Sequence, residues 1–110
     1  MVDHAKGYIP NLQISRNARK GLEFRRKYGR GGTEVGINRA KQLSKRLPLG
    51  EAIIKKMSSY FARHEIDKQS SDFGNDSNPS KGYIAWLLWG GDEAKTWVDQ
   101  IKKRLNQTDK

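Results

Sequence analysis

The chain of 110 residues contains no cysteine, which excludes a disulfide framework and thiolate metal sites. It also lacks any apolar run near the ~18 residues of a membrane span. Its N-terminal sequence has no apolar core of the signal-peptide type, so we expect an intracellular protein with no membrane partner. Apolar residues make up only 35% of the chain, yet three Trp, four Tyr and three Phe favour a folded domain over a disordered polyelectrolyte.

Acidic residues are scarce in the first two thirds of the chain. Residues 1–68 contain 16 Lys and Arg against 6 Asp and Glu, whereas residues 69–110 contain 6 of each kind. The whole net charge of +10 therefore lies before residue 69. Such an asymmetry is typical of proteins that meet a polyanion. A solvated basic surface is the alternative, since solubility of a small domain needs a net charge of only about 2 to 8.

Helical periodicity dominates the pattern of apolar residues. The spacing predicts helices over residues 15–28, 33–46, 51–65 and from 92 onward, and a short apolar helix in GYIAWLLW. Ser15, Thr33 and Asp92 are suitable N-caps, and Gly29 is a suitable stop signal. No second segment has the pattern of a strand. We therefore predict an all-α fold of four main helices plus one short apolar helix.

The length allows one domain. We predict a flexible N-terminal arm over residues 1–13, because Gly7 and Pro10 interrupt it, and a single helical domain over residues 14–110. Residues 69–82 read as a long polar loop, of a kind that is usually functional or mobile. The predicted core residues are Leu22, Leu43, Ile54, Met57, Phe61, Ile84, Leu87, Leu88, Trp97 and Ile101.

Basic residues crowd the segment between Arg16 and Arg46, which holds eleven Lys and Arg against two acidic residues. Such groups bind phosphate backbones through neutralisation and counterion release, and the interleaved Phe24 and Tyr28 could stack on unpaired bases. The glycine-rich turn 29–32 lets the backbone approach an anion, although it is not a Walker A loop. The predicted nucleic-acid contacts are Arg19, Lys20, Arg25, Arg26, Lys27, Arg30, Thr33 and Arg39.

The two helices joined by residues 47–50 are compatible with a helix-turn-helix or with an ordinary αα-hairpin, and the hairpin is the more common arrangement. The second of these helices would present Lys55, Lys56, Ser59 and Arg63 on one side. No Asn or Gln on that side could read adenine. The pattern favours phosphate contact over base reading.

The stretch RHEIDK places an imidazole and two carboxylates close together. His64 could serve as a general base and Glu65 or Asp67 could hold a metal, with Asp72 and Asp76 joining only if folding brings them near. A zincin HExxH motif is absent. The alternative is a helix end whose polar groups pair with one another, and the sequence favours a protein that is not an enzyme and has no cofactor or metal.

Three stretches together carry a family resemblance. They are GLEFRRKYGRGGT (21–33), SSYFARHEIDKQ (58–69) and GYIAWLLWGGDEAKTW (82–97). The pattern resembles a small module of phage-encoded proteins, which occurs alone and attached to phage head and prohead proteins. The resemblance implies a phage or prophage protein in the bacterial host cytoplasm or with the virion, and it assigns no chemistry to any residue. This chain departs from the module in the loop after Gln69, where Ser, Asn and Asp replace Gly and Pro.

Three functional hypotheses follow. The first is a phage-encoded basic protein that contacts the phosphate backbone of nucleic acid with little sequence preference, with DNA favoured over RNA. The second is a structural module that docks on a phage head protein or a host protein through the aromatic arm or the long loop. The third, with the least support, is a metal-dependent nuclease built on His64, Glu65 and Asp67.

Overall fold

A computed structural model describes residues 7–108 of the chain. The helices are α1 (Leu12–Tyr28), α2 (Glu34–Ser44), α3 (Glu51–His64), α4 (Lys81–Leu88) and α5 (Gly91–Thr108), with a 3₁₀ helix at Glu65–Gln69. No strand occurs over residues 7–108, so the prediction of an all-α fold with four main helices and one short apolar helix is confirmed. In the same range no helix combines the length and the hydrophobicity needed to cross a bilayer.

Helix α1 begins earlier than the sequence indicated. Its first residue is Leu12, and its N-cap is Asn11, whose side chain accepts a hydrogen bond from the Ile14 N–H at 2.9 Å. The prediction that Ser15 caps this helix is wrong. Ser15 lies inside α1 and is buried, and its hydroxyl donates to the Ser44 carbonyl at 2.9 Å, which ties α1 to the end of α2.

Asp92 does not cap α5, which is a second correction. The helix already begins at Gly91, so Asp92 lies in its first turn. The Asp92 carboxylate instead accepts hydrogen bonds from the Trp86 indole N–H at 2.9 Å and from Lys68 Nζ at 2.8 Å. The Asp92 carboxylate therefore binds Trp86 and Lys68 instead of capping α5.

The segment predicted as a flexible arm is partly held against the body. Residues 1–6 of that arm lie outside the described residues. Tyr8 forms an isolated antiparallel bridge with Leu49, and both of its backbone hydrogen bonds measure 2.8 Å. Pro10 is buried, and its carbonyl accepts a hydrogen bond from Arg46 Nε at 2.7 Å.

Helices α2 and α3 follow one another in the chain but pack on different neighbours. Helix α2 lies along α1, whereas α3 lies along α5. The ordinary αα-hairpin that the sequence favoured for this pair is not formed, because α2 and α3 do not pack along each other. The physical reason is Leu49, which is only 1% exposed and draws the connection between the two helices into the core.

The core is close to the predicted one. Eight of the ten predicted core residues are buried, whereas Leu22 and Trp97 lie half-buried at its edge. Trp97 stands beside the buried stripe of α5, which consists of Ala94, Val98, Ile101 and Leu105. Periodicity placed Trp97 within this stripe, and that prediction is wrong, because spacing alone does not resolve which edge of the stripe faces the core.

Helices α1 and α4 approach each other closely at Gly21. A Cβ atom on Gly21 would lie 2.7 Å from the Leu88 amide nitrogen and 3.0 Å from the Leu87 carbonyl carbon. Glycine lowers helix propensity by about 1 kcal/mol relative to alanine, yet here its missing side chain admits the backbone of another helix. Gly21 therefore lowers the helix propensity of α1 but makes the close contact between α1 and α4 possible.

The corner between α4 and α5 also depends on glycine. Gly90 and Gly91 both have positive φ values, of 108° and 75°. A Cβ atom on Gly90 would in addition meet Ala94 and lie 3.0 Å from Ile14 Cγ2. This pair lets α5 turn back under α1 without a side chain in the way.

We expect Gly21→Ala to lower the free energy of unfolding by up to about 2 kcal/mol, because an overpacking cost of about 1–3 kcal/mol against a fixed backbone exceeds the propensity gain of about 1 kcal/mol. Chemical denaturation measures the change. Asn38→Ala is the control, since Asn38 is exposed inside α2 and a propensity gain of up to about 0.7 kcal/mol should leave stability equal or higher. A Gly21→Ala protein more stable than the wild type would contradict the close contact.

Candidate functional site

Several of the predicted nucleic-acid contacts are occupied by partners within the protein. Lys20 forms an ion pair with Asp76 at 2.9 Å. Arg30 donates from Nε and Nη2 to the Pro79 carbonyl at 3.1 and 2.9 Å. Arg19 donates to the Ser44 carbonyl at 3.2 Å. These side chains hold α1 and the following turn to other parts of the fold.

The polar loop is held against the helices by the contacts of Lys20 and Arg30 and by three aromatic residues. The Tyr28 hydroxyl donates to the Ser77 carbonyl at 3.2 Å, and the Tyr83 hydroxyl donates to Asp76 Oδ1 at 2.7 Å. Phe73 packs against the Tyr83 ring, with centroids 5.1 Å apart. The prediction of a loop over residues 69–82 also needs adjustment, because residue 69 ends the 3₁₀ helix and residues 81 and 82 begin α4.

The aromatic residues interleaved with the basic segment are not free to stack on bases. The rings of Phe24 and Tyr28 contact each other edge-to-face at 5.8 Å, and Phe24 also contacts Tyr83 at 6.2 Å. Arg26 and Lys27 are exposed, whereas Arg25 is half-buried. The structure therefore leaves a smaller free basic surface on α1 than the sequence indicated.

Arg39 is the most deeply buried of the predicted contacts, with 8% exposure. Its guanidinium lies over the Trp89 ring, 5.5 Å from the centroid, and Nη1 donates to Gln42 Oε1. Burial lowers the pKa of Arg39 from its usual value. This arginine supports the wall of the site described next.

A cleft of about 960 Å³ lies between the N-terminal end of α2, one face of α3 and the N-terminal part of α4. We call it the basic cleft. Its apolar lining includes Val35, Ala85 and Trp89. Thr33, which caps α2 as predicted by accepting a hydrogen bond from the Gly36 N–H at 3.3 Å, is the one predicted contact residue among those that line it.

Four cationic side chains line the basic cleft, namely Lys55, Lys56, Arg63 and Lys81. All four are exposed, and none forms an ion pair or a side-chain hydrogen bond within residues 7–108. The single lining carboxylate, Asp67, is 3.3 Å from His64 Nδ1. The local field is therefore positive and the charges are available to a ligand.

A continuous stack runs through the wall of the cleft. The Arg39 guanidinium covers one face of Trp89, and the Trp89 and Tyr60 rings are stacked with centroids 4.5 Å apart and planes 7° apart. Tyr60 is in turn stacked on His64 at 4.4 Å and 27°. The inner members are buried, since Trp89 is 8% and Tyr60 is 5% exposed, whereas the His64 side chain at the end of the stack is 40% exposed.

The hydroxyl of Tyr60 is buried and has no hydrogen-bond partner among residues 7–108. Burial raises the pKa of Tyr60, the charge of Asp67 raises it further, and Arg63 opposes the shift. The hydroxyl is therefore neutral, and its pKa depends on the charges of two residues that line the cleft. A buried donor without a partner costs about 1–3 kcal/mol.

The carboxylates named for a metal-dependent nuclease are not collected around His64. Glu65 is 3.4 Å from Lys68 Nζ, and Asp76 bonds to Lys20 and Tyr83. Within the part of the chain that the structure describes, no three His, Asp or Glu residues form a group that could hold a metal ion. Only Asp67 accompanies His64 in the cleft.

The sequence indicated the basic face of α3 but not the residues of α2 and α4 that line the other sides of the cleft. Lys81 was assigned to a loop, whereas it begins α4 and faces the cleft. Tyr60 and Trp89 carried the pattern of core residues, which they are, and nothing in their spacing indicated that they also form the wall of a site. Comparisons of the chain with protein-family models, curated proteins and solved structures give no match.

We expect Tyr60→Phe to leave the free energy of unfolding unchanged or to raise it, because the substitution removes a buried donor without a partner and retains the ring. Urea denaturation provides the measurement. Tyr83→Phe is the matched control, since its hydroxyl donates to Asp76 at 2.7 Å and its loss should cost about 1.5–3 kcal/mol. Equal losses for the two variants would contradict an unpartnered Tyr60 hydroxyl.

The loop contact should be sensitive to acid. Hydrogen bonds from the Tyr83 hydroxyl and from Lys20 lower the pKa of Asp76. Its contribution to stability is therefore present at neutral pH and is lost as pH falls through the lowered value. We expect the stability difference between the wild type and Asp76→Asn to shrink below about pH 4, measured by thermal unfolding. A difference that is constant with pH would show that the ion pair does not stabilise the fold.

Proposed function

We propose that this chain binds nucleic acid by holding the phosphate backbone in the basic cleft, with little sequence preference. The observation that carries the proposal is the set of four exposed cations, Lys55, Lys56, Arg63 and Lys81, which line one concave surface without internal ion pairs among the described residues. Phosphate contact by such groups releases condensed counterions and supplies most of the affinity of sequence-independent binding.

The backbone adds to the positive field of the cleft. Gly32 and Thr33 lie at the N-terminal end of α2, and Lys81 and Gly82 at the N-terminal end of α4. Unpaired N–H groups and the helix dipole make such ends favourable for anions. Two of them open on the same cleft as the four cations, so the two sources of positive potential reinforce each other.

Weak sequence preference is part of the proposal. The lining of the cleft contains no Asn or Gln, the residues that pair with adenine edges. Lysine acts as a point charge and does not discriminate between bases. DNA is the favoured polymer because the resemblance to a phage-encoded module implies a protein that acts in the host cytoplasm or with the phage head.

We expect the variant Lys55→Gln, Lys56→Gln, Arg63→Gln to bind DNA more weakly and with a flatter salt dependence. The slope of log affinity against log salt should fall by about 2.7 on duplex or about 2.1 on a single strand if all three residues touch phosphate. Fluorescence anisotropy with labelled oligonucleotides at several salt concentrations gives both numbers.

The matched control is Lys102→Gln, Lys103→Gln, Arg104→Gln. It also replaces two lysines and one arginine, but these lie at exposed positions on α5, outside the cleft. Wild-type affinity and slope in this control, with losses in the cleft variant, support the proposal. Equal losses of affinity in both variants would show that binding depends on net charge and not on the cleft. Absence of DNA binding by the wild type at low salt would refute the proposed function.

Docking on a phage head protein or a host protein is a second candidate. Ile9 and Leu12, near the start of the described chain, are 56% and 55% exposed although both are large and apolar. Such side chains are typical of protein contacts when they cluster. Binding to a partner protein that survives high salt and is lost in an Ile9→Ser, Leu12→Ser variant would favour this function over the first.

A further inference from the structure

We infer that the basic cleft selects an unpaired strand by stacking one nucleobase on the half-exposed ring of His64. The inference rests on the proposed function, because it assumes that a phosphate backbone enters the cleft. It adds a distinction that phosphate contact alone cannot make, between single-stranded and duplex nucleic acid. Three features of the wall carry it.

The first feature is the stack that ends at His64. Trp89 and Tyr60 are almost parallel, and Tyr60 lies against one face of His64 at 4.4 Å. Within residues 7–108 His64 has no other aromatic neighbour, and its side chain is 40% exposed. A nucleobase would extend the series by one ring. Base–aromatic stacking is tolerant of sequence, as the proposed function requires.

The second feature is the support of the His64 ring. Tyr60 covers it from behind, and Asp67 Oδ2 lies 3.3 Å from Nδ1 and fixes its orientation. The ring is therefore a preorganised platform rather than a mobile surface side chain, and little rotamer freedom would be lost on binding. Lys56, Ser59 and Arg63, which follow at three- and four-residue spacing, line the same cleft for the adjoining backbone.

The third feature is the space in front of the wall. The cleft of about 960 Å³ lies at the upper end of the range of about 300–1,000 Å³ for ligand sites, so a base and its phosphate both fit.

Duplex nucleic acid cannot use this platform. The faces of paired bases are covered by the neighbouring base pairs, so only unpaired bases can be splayed out onto an aromatic side chain. Phosphate contact would still hold a duplex to the four cations. Both forms therefore bind, and the single strand gains the additional stacking contact.

The test compares strands that carry the same phosphates with and without bases. Oligo(dT), an abasic oligodeoxynucleotide of equal length and oligo(U) are titrated with the full chain at one salt concentration, by fluorescence anisotropy. We expect oligo(dT) or oligo(U) to bind about 5- to 150-fold more tightly than the abasic strand, the range of one stacking contact. The comparison of the two base-bearing strands identifies DNA or RNA as the preferred source of the base.

Two variants isolate the ring. His64→Phe and His64→Leu both lose the contact with Asp67, but only His64→Phe retains an aromatic face. We expect His64→Phe to keep most of the preference for the base-bearing strand and His64→Leu to lose it. The preference is the ratio of the two affinities within each variant, so a change in phosphate contact that is common to both strands cancels. Circular dichroism confirms that each variant is folded.

Equal binding of base-bearing and abasic strands by the wild type would overturn the inference and leave the proposed function standing. The same holds if His64→Leu retains the full preference. Absence of salt-dependent binding to every strand would instead overturn the proposed function, and the inference with it.

Discussion

The close approach of α4 to α1 at Gly21 is the contact on which the rest of the structure depends. The short apolar helix α4 contacts every other α-helix, and it can lie this deep only because no Cβ separates the two backbones at Gly21. Once α4 is in place, Trp86 is fixed between α3 and the first turn of α5, and Trp89 is fixed behind α2. The same contact between α1 and α4 therefore positions both the core and the wall of the basic cleft.

The excess of positive charge serves two different purposes. Along α1 and the turn that follows, Lys20 and Arg30 bind the polar loop, while Arg39 is buried over Trp89. These cations stabilise the fold and have few donors left for a ligand. Along α3 and at the start of α4 the cations have no internal partners among the described residues, and they surround a concave surface. Charge density in the sequence does not separate these two groups, because the carbonyls and carboxylates that occupy the first group are distant in the chain.

The stack formed by Trp89, Tyr60 and His64 joins the core to the candidate site. Its inner members are buried as core residues, and its outer member is a half-exposed ring at the cleft. Packing energy that stabilises the fold thereby also orients the platform. Two polar groups of the stack, the Tyr60 hydroxyl and Arg39 Nε, are buried without a hydrogen-bond partner among the described residues.

The sequence by itself determined the fold class, the approximate bounds of α2, α3 and α4, and most of the core, because these follow from local periodicity and from caps such as Thr33 and Gly29. It also identified the basic face of α3. Tertiary structure alone decided the departure from a hairpin at Leu49, the replacement of Ser15 by Asn11 as N-cap, and the assembly of α3, Thr33 and Lys81 around one cleft. Those outcomes depend on which backbones can approach and which distant polar groups meet, and neither property is encoded in the spacing of residues within one helix.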